Sequence, residues 1–277
     1  MGIDLNVPGS IGKQVRREMT QSEELYPEPV IGFLEMLWGR GWLSPGGPDE
    51  LRRLLDGEDF RGKHVLDIGC GAGGIDCLLV RDYGAAKITG IDVEASVLAA
   101  ARKRTREAGI SDRVELVQVE PGPLPFADEM FDVVFSKDSI VHIPGKHELA
   151  RYAFRVLKPG GVFVASDWLI SHDDEPSPEM RAYLTSEDLG FVMASPTAYA
   201  DALEQAGFVD VALTSRNAWY RDQAKRELAL LQGELHDAAV AELGHEDVEH
   251  NIQTWGLMIK VLETGEHCPH HVRGRKP

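Results

Sequence analysis

Two carboxylates and a cluster of glycines lie where they could hold a cofactor. Asp67 falls inside the apolar run of residues 65–68, which leads directly into the glycine-rich residues 69–74. A strand that ends in such a turn lets a ligand approach the backbone closely, and the next helix presents unpaired N–H groups to it. Asp92 closes the next apolar run, where an acidic side chain accepts both hydroxyls of a ribose. An anion at Asp67 favours a bound ammonium, so the spacing predicts a cofactor that carries an ammonium and a ribose.

Dehydrogenases and flavoproteins share such a glycine turn, so the turn alone does not identify the class of cofactor-binding protein. The elements around it distinguish these classes. From residue 58 onward, short apolar runs alternate with helical stretches. This alternation is typical of parallel βαβ winding, which puts ligands at the carboxyl ends of the strands. The sequence therefore predicts an α/β fold with a doubly wound, Rossmann-like sheet. Predicted strands cover residues 64–68, 87–91, 114–117, 131–135, 161–165 and 208–213, and predicted helices cover 75–82, 96–108, 147–157 and 199–206.

Helical segments are predicted on both sides of this core. Apolar residues at helical spacing between residues 26 and 55, with a break at residues 44–47, indicate two short helices that form a flap. A helical layer over residues 222–266 is long for a connection and is better explained as a cap over a site. We divide the chain into an N-terminal arm and helical flap (1–57), a core (58–215) and a helical cap with a C-terminal tail (216–277).

The composition disfavours several classes of protein. The chain of 277 residues has 29 Lys+Arg against 45 Asp+Glu and a formal net charge of −16. We therefore expect no nucleic-acid partner, because that binding needs basic side chains to neutralise phosphates. No apolar run approaches the length of a membrane span and the first residues do not resemble a signal peptide, so we expect no membrane partner and a cytoplasmic location. Cys70, Cys77 and Cys268 are expected to be free thiols.

Further motifs follow the glycine turn: Leu124-Pro125-Phe126, Phe131-Asp132-Val133-Val134 and Leu157-Lys158-Pro159-Gly160-Gly161. With the turn, they make residues 58–213 resemble the class I S-adenosylmethionine-dependent methyltransferases. This resemblance implies S-adenosylmethionine as the cofactor, with its ribose on Asp92 and its adenine amine on Glu120. Pro121 departs from the family pattern because it has no N–H to offer the adenine ring. The implied cofactor-binding residues are Asp67, Gly69, Gly71, Gly73, Ile91, Asp92 and Glu120.

A narrower resemblance covers residues 26–215 and rests on motifs in both the flap and the core. These motifs are Tyr26, Trp38-Gly39, Leu43-Ser44-Pro45-Gly46-Gly47, residues 136–143, Ser166-Asp167-Trp168 and Pro176-Ser177-Pro178-Glu179. They are similar to those of the phosphoethanolamine N-methyltransferases. The resemblance implies that Tyr26 and His142 form a hydrogen-bonded catalytic pair over the amine and that Asp138 contacts it. Ser44 and Lys137, in the same motifs, join the implied cofactor-binding set.

The catalytic residue types suit methyl transfer to an amine. An aliphatic ammonium has no lone pair until it loses a proton, and a histidine with a pKa near neutrality can take that proton. A tyrosine orients the histidine or closes the pocket, and a carboxylate steadies the cation. Holding nitrogen, methyl carbon and sulfur in line then supplies much of the rate. Trp168 is expected to face the methylated cation.

The phosphate-binding residues of the narrower family are missing from this sequence. Where that family supplies an arginine and a tyrosine, residues 185–191 are acidic, and Met258 stands where a lysine is expected. Phosphate recognition needs such charges, so we expect a small amine without a phosphate, with an amino acid or a diamine as candidates. Lys137 is also expected as an anchor for a substrate carboxylate. The expected substrate-binding residues are Trp38, Trp168 and Arg181.

Other interpretations of the same residues stay open. An O- or C-methyltransferase would use His142 to deprotonate a hydroxyl or an acidic carbon, with Asp138 serving only as a helix N-cap. A cofactor-binding protein without turnover is an alternative from another class, and Asp67 disfavours a nicotinamide dehydrogenase. Residues 266–271 hold cysteine and histidine close together, but we expect a solvated tail and no metal there. Residues 272–276 resemble the last strand of the family only poorly.

Overall fold

A seven-stranded sheet forms the centre of the computed structural model, which describes residues 25–277. Its strands are β1 (His64–Ile68), β2 (Lys87–Asp92), β3 (Val114–Gln118), β4 (Phe131–Lys137), β5 (Leu157–Asp167), β6 (Val209–Ser215) and β7 (His270–Arg275). They lie in the order β3-β2-β1-β4-β5-β7-β6. The pairs from β3 to β5 are parallel, and β7 is antiparallel to both neighbours. The sheet confirms the predicted doubly wound α/β fold.

Helices cover both faces of the sheet and its carboxyl edge. Two helices precede the sheet, α1 (Glu28–Trp38) and α2 (Gly47–Leu54). The crossover helices are α3 (Gly74–Arg81), α4 (Ala95–Glu107), α5 (Lys146–Val156) and α7 (Pro196–Ala206). The predicted layer over residues 222–266 consists of α8 (Asn217–Leu231), α9 (His236–Leu243) and α10 (His245–Thr264). Sequence reasoning missed α6 (Pro178–Glu187), although Ser177 accepts a hydrogen bond from the Met180 N–H as its N-cap and Pro178 begins it.

The C-terminal segment is a strand of the sheet, so the expectation of a solvated tail was wrong. Each residue of β7 has a partner on β5, from Asp167↔His270 to Val162↔Arg275. Val272 is fully buried and belongs to the apolar cluster between the sheet and α5 and α7. The strand fills the gap between β5 and β6 and pairs backbone groups that would otherwise lie unpaired.

Apolar side chains alternate between the two faces of the strands and build one core on each face. Leu66 points to the face covered by α5 and α7, whereas Val65 points to the face covered by α2 and α3. A third cluster joins α1 to α6, α8 and α10, and includes Phe33, Met180 and Leu231. This third cluster places the flap and the cap together over the carboxyl ends of the strands. No helix among residues 25–277 is both long and apolar enough for a membrane crossing.

The flap is fastened to the glycine turn through α1 and the loop after it. A carboxylate oxygen of Glu35 accepts from the Gly41 N–H at 2.9 Å and from the Arg104 guanidinium. The Gly74 N–H donates to the Gly41 carbonyl at 3.2 Å. A Cβ on Gly74 would lie only 2.5 Å from that oxygen, so glycine is required for this close approach.

Candidate functional site

The turn between β1 and α3 has a backbone that only glycine adopts easily. Gly69, Gly71 and Gly73 have φ of +74°, +51° and +75°. A Cβ at Gly69 would lie 2.3 Å from the Ser139 side chain, and one at Gly71 would lie 3.1 Å from Leu43 Cδ1. Sequence reasoning predicted these three glycines as a cradle for a cofactor, and the geometry is that of a tightly enclosed turn.

Residues at the end of β2 hold this turn in place. The buried Ile91 offers its carbonyl to the N–H groups of Gly69 and Cys70, at 2.9 and 3.0 Å. The Asp92 carboxylate accepts from the Gly71 N–H at 3.0 Å and from the Glu94 N–H at 3.1 Å. Burial raises the pKa of Asp92. The predicted contacts of Ile91 and Asp92 with the cofactor stay predictions, as does that of Glu120, which lies exposed after β3.

Asp67 is a buried carboxyl group with no donor. It is 1% exposed, and neither of its oxygens has a hydrogen-bond donor among the described residues; the same holds for Asp76 on α3. Burial and the neighbouring Asp76 raise the pKa of Asp67 well above its usual range, and burial raises the pKa of Asp76 to about 7. An orphaned acid pair beside a glycine cradle fits a cofactor that brings an ammonium. Sequence reasoning missed Asp76, which lies three residues after Gly73.

A cavity of about 270 Å³ lies between the flap, the cap and the end of β4. Five residues predicted for catalysis or substrate binding line it: Tyr26, Trp38, Asp138, His142 and Trp168. The structure does not bring Arg181 to this cavity. Arg181 is exposed on α6, and its guanidinium donates to the carbonyl of Pro176. This position corrects its assignment as a substrate anchor.

One ring nitrogen of His142 has no hydrogen-bond partner among the described residues and can act as a base. It ends a short 3₁₀ turn after β4, Ile140–His142, and its Nδ1 lies 3.1 Å from the carbonyl oxygen of Leu189. Because a carbonyl only accepts, Nδ1 carries the proton and Nε2 keeps a lone pair. Burial lowers the pKa of His142, which favours the neutral ring. The Phe191 ring packs edge-on against it with centroids 5.1 Å apart, which fixes its orientation.

Tyr26 lies beside the start of α1 and lines the same cavity as His142. Burial, with the negative charges of Glu187 and Asp92, raises the pKa of its phenol. The hydroxyl therefore keeps its proton and can donate a hydrogen bond. No hydrogen bond joins Tyr26 to His142 within the described part of the chain, so the predicted pairing stays a prediction.

A buried network of hydrogen bonds holds the Asp138 side chain, and its carboxylate does not cap the N-terminus of a helix. Its backbone φ is +57°, a costly conformation for a non-glycine residue. Its carboxylate accepts from Ser166 Oγ at 2.8 Å, from the Tyr220 hydroxyl at 3.1 Å and from the ammonium of Lys137. The short 3₁₀ turn that follows has no side-chain cap, so the alternative of Asp138 as an N-cap was wrong.

Lys137 and Ser44 attach the flap to the end of β4. The Lys137 ammonium donates to Ser44 Oγ at 2.9 Å, to the Pro45 carbonyl at 2.8 Å and to Asp138. These bonds use all three of its N–H donors. Lys137 therefore has no donor left for a substrate carboxylate, which corrects that expectation. The contact of Lys137 and Ser44 with a cofactor stays a prediction.

The wall of the cavity is aromatic and acidic. Besides Asp138 it contains the carboxyl groups of Glu187 and Glu227, and no lysine or arginine belongs to the described lining. Burial raises the pKa of Glu187 to about 7, so a cation that paired with it would favour its ionised form. Sequence reasoning included Glu187 only as part of the acidic segment 185–191. It missed Tyr220, Glu227 and Trp255, although residues 220, 224 and 227 share one helical face.

Trp168 closes the cavity against the buried C-terminal segment. Its indole stacks on the His267 ring with centroids 4.9 Å apart and meets the Tyr220 ring edge-on at 4.7 Å. His267 is fully buried, its Nδ1 lies 3.1 Å from the Leu169 carbonyl, and burial lowers its pKa to about 4. Within residues 25–277 no group of three or more potential ligands is arranged to hold a metal ion. His267 therefore supports a wall of the cavity.

Comparisons with known proteins agree with this geometry. A family model described as a methyltransferase domain matches residues 59–220. A phosphoethanolamine N-methyltransferase of Triticum aestivum is 31% identical over 240 residues, which cover 86% of this chain and 46% of the relative. A sarcosine/dimethylglycine N-methyltransferase of Halorhodospira halochloris is 30% identical over 182 residues, which cover 65% of this chain and 64% of the relative. The chain thus spans about half the length of the phosphoethanolamine relatives that it matches.

A solved structure shares the fold. The phosphoethanolamine N-methyltransferase 2 of Haemonchus contortus, in complex with phosphomonomethylethanolamine and S-adenosylhomocysteine, superposes with a TM-score of 0.82 at 22% identity. The match covers 91% of this chain and 58% of that chain. At this identity the likeness shows the architecture, including the sheet order and the helices over its carboxyl edge.

Proposed function

The chain belongs to the class I S-adenosylmethionine-dependent methyltransferases, and on that premise we propose that it methylates the nitrogen of a small amine that carries no phosphate. This proposal rests on the residues that line the cavity. They combine the carboxyl groups of Asp138, Glu187 and Glu227 with aromatic rings, and the described lining has no lysine or arginine. Because Lys137 balances the charge of Asp138, Glu187 and Glu227 are the carboxyl groups of this surface that attract a cation and repel a phosphate.

The residues around the glycine turn are suited to hold the cofactor. Asp92 and Glu120 would take the ribose and the adenine, and the glycine backbone would admit the chain of the amino-acid part. Asp67, whose oxygens have no N–H or basic donor among the described residues, would receive its ammonium. When bound, S-adenosylmethionine supplies a methyl group on a positively charged sulfur.

The side chains of the cavity would prepare the acceptor nitrogen. The Asp138 carboxylate, fixed by Ser166, Tyr220 and the Lys137 ammonium, would share its charge with the ammonium form of the acceptor. His142 Nε2 takes a proton from that ammonium, and its ring becomes an imidazolium while Nδ1 keeps its bond to Leu189. The deprotonated nitrogen then has the lone pair that methylation needs. Tyr26 closes the pocket and donates from its hydroxyl.

The names of two relatives support a nitrogen acceptor, but they differ in whether that acceptor carries a phosphate. The Triticum aestivum protein is named for phosphoethanolamine, and the Halorhodospira halochloris protein for sarcosine and dimethylglycine, which carry no phosphate. Both acceptors are amines. The described cavity wall has no lysine or arginine, which favours an acceptor without a phosphate for this chain.

A paired methylation assay tests the proposal. Ethanolamine and phosphoethanolamine form a matched pair, and other small amines, diamines and amino acids extend the screen, with products identified by mass spectrometry. We expect the specificity constant to be higher for at least one unphosphorylated amine than for any phosphorylated one. Faster methylation of phosphoethanolamine than of every unphosphorylated amine would contradict the proposal.

A second candidate is methyl transfer to oxygen or carbon of a larger apolar molecule. The aromatic and aliphatic part of the wall, with Phe33, Leu34 and Met258, favours it. His142 would then deprotonate a hydroxyl or an acidic carbon, and the three carboxyl groups would have no partner in the substrate. Locating the new methyl group in the product by fragmentation distinguishes the two candidates.

A further inference from the structure

Glu227 forms an anionic centre in the cavity wall, at a distance from Asp138. Its carboxylate accepts from Trp38 Nε1 at 2.7 Å, from Gln223 Nε2 at 2.9 Å and from Trp255 Nε1 at 3.0 Å. The two indole rings lie 6.3 Å apart at 33°. Glu227 and both indoles line the cavity, so a ligand there meets a carboxylate framed by two tryptophans.

The Glu227 carboxylate forms no ion pair within the described protein, although the charge of Arg226, which donates to Gln223 Oε1, acts on it from beyond ion-pair distance. Glu227 is 2% exposed, and all three of its hydrogen-bond donors are neutral groups. Burial raises the pKa of Glu227, in keeping with a carboxylate that forms no ion pair. A buried carboxylate is normally paired, and a tryptophan pair attracts cations strongly once they are desolvated. No cation contacts the Glu227 carboxylate within the described residues, so a cation that enters the cavity can pair with it directly.

Helix α8 sets the distance between this centre and the reaction site. Tyr220, which bonds Asp138, and Glu227 lie seven residues apart on the same face of α8. Seven residues are two turns, about 10 Å along the helix axis. An extended chain advances about 3.5 Å for every three bonds, so about eight or nine bonds would join a group at Asp138 to one at Glu227.

We propose that Glu227, Trp38 and Trp255 form a second cation-binding subsite, and that the acceptor is an aliphatic diamine or polyamine. The inference rests on the proposed amine methylation and adds the substrate class to it. One ammonium lies at Asp138 and His142, where it is methylated, and the other lies against Glu227, beside the two tryptophans. The apolar wall between the two centres covers the methylene chain.

Calorimetry with S-adenosylhomocysteine bound tests the subsite without turnover. The probes are straight-chain diamines with four to ten carbons, each matched with the monoamine of the same length. We expect diamine affinity to peak near eight carbons and to exceed that of the matched monoamine by about tenfold or more. Diamines that bind no tighter than their monoamines at any length would overturn the proposal.

A pair of charge-neutralising variants assigns the preference to Glu227. Glu227→Gln should bring the ratio of diamine to monoamine affinity close to one. Glu234→Gln, which removes an exposed carboxylate of the cap, should keep the wild-type ratio. A ratio that survives in Glu227→Gln would overturn the subsite, and equal S-adenosylhomocysteine affinity in all three proteins shows that they are folded.

The outcomes separate the subsite from the proposed function. If monoamines bind and are methylated but diamines gain nothing, the subsite is wrong and the amine methyltransferase stands. If no amine binds or is methylated, both are wrong. The chain-length profile needs only the wild-type protein, so a variant that fails to fold does not remove the test.

Discussion

At the scale of single residues, His142 carries the proton chemistry. The Leu189 carbonyl fixes its tautomer, and Nε2 is the ring nitrogen left as an acceptor. Replacing His142 by Ala removes the base while leaving the glycine turn untouched. We expect turnover to fall by about a hundredfold or more with cofactor affinity nearly unchanged. Steady-state kinetics and calorimetry measure the two quantities, and His147→Ala, which removes an exposed histidine of α5, is the control.

We assign the loss of turnover at acidic pH to the protonation of the same residue, His142. Because burial lowers the pKa of His142, the base form persists below the ordinary value of 6.5. Turnover should therefore fall only as the pH drops through a lower value, and this loss should vanish in His142→Ala. Full turnover of this variant on the true substrate would reduce His142 to a packing residue.

A substitution at Gly71 tests whether the glycine turn binds the cofactor as predicted. A side chain there must adopt a φ of +51° and lie against Leu43, and an Asp side chain adds a negative charge beside Asp92. We expect Gly71→Asp to abolish the binding of S-adenosylmethionine and its demethylated product. Gly109→Asp is a matched control, because Gly109 also has a positive φ, of +69°, and has open space around it. Cofactor affinity equal in the two variants would remove Gly71 from the cradle.

A substitution at Glu187 tests whether the acidic wall of the cavity contacts the acceptor. Its pKa is raised to about 7 by burial, so the carboxyl group ionises as the pH rises through this value and then attracts a cationic acceptor more strongly. We expect the KM for the amine to fall over that range in the wild type, and Glu187→Gln to raise the KM about tenfold with a smaller change in kcat. Asp188→Asn is the control, because the neighbour is exposed and Asn tolerates its φ of +51°. An unchanged KM in Glu187→Gln would exclude contact with the acceptor.

At the scale of elements, Glu50 joins α2 to the start of α8 and to β7. Both of its oxygens accept from the Arg216 guanidinium at 2.7 Å, and His271 Nε2 lies 2.8 Å from one of them. Burial alone would raise the pKa of Glu50, but the nearby His271 ring and the hydrogen bonds from Arg216 outweigh it and lower the pKa from 4.5 to about 2. A lowered pKa means that ionised Glu50 stabilises the fold above pH 4.5, and that this stabilisation is lost as the pH falls towards 2.

Neutralising Glu50 should therefore destabilise the protein at neutral pH. We expect Glu50→Gln to lower the free energy of unfolding at pH 7 by about 3 kcal/mol. Urea unfolding at a series of pH values measures this loss, and the difference from wild type should shrink below pH 4.5. Asp49→Asn, which changes an exposed carboxylate of the same helix, should have little effect. An equal loss in both variants would exclude a specific clamp.

The sequence predicted the parts of the site that local chain patterns specify. The glycine turn and Asp92 lie at the ends of adjacent strands, so their meeting follows from βαβ winding alone. Contacts with the cap do not follow from such a rule. Trp38 and Glu227 are 189 residues apart, and Tyr220 and Asp138 are 82 apart. Which face of α8 meets the cavity depends on how α1, α6 and α10 pack, and the apolar periodicity of α8 alone does not specify it.

At the scale of the whole molecule, the position of β7 between β5 and β6 explains why the C-terminal segment forms a strand. Residues 270–275 read His-His-Val-Arg-Gly-Arg, which lacks the apolar alternation that predicts a strand. Two of these side chains find polar partners on α2 and the turn after it: His271 reaches Glu50, and Arg273 donates to the carbonyls of Leu54 and Asp56. A strand built from such residues is stabilised by backbone pairing and long-range polar contacts, and these are not visible in a local pattern.

Removal of this strand should therefore unfold the whole molecule. Without residues 270–277, the buried strand β5 loses its antiparallel partner and β6 is separated from the sheet. Unpaired backbone groups in the core are costly, so we expect the truncated chain to show no cooperative thermal transition and no cofactor binding. Val272→Ala keeps the backbone pairing and removes only two methyl groups from the core, so this variant should stay folded and lose roughly 2 kcal/mol of stability. Circular dichroism during heating measures both, and a truncated chain with the wild-type Tm would show that β7 is dispensable for the sheet.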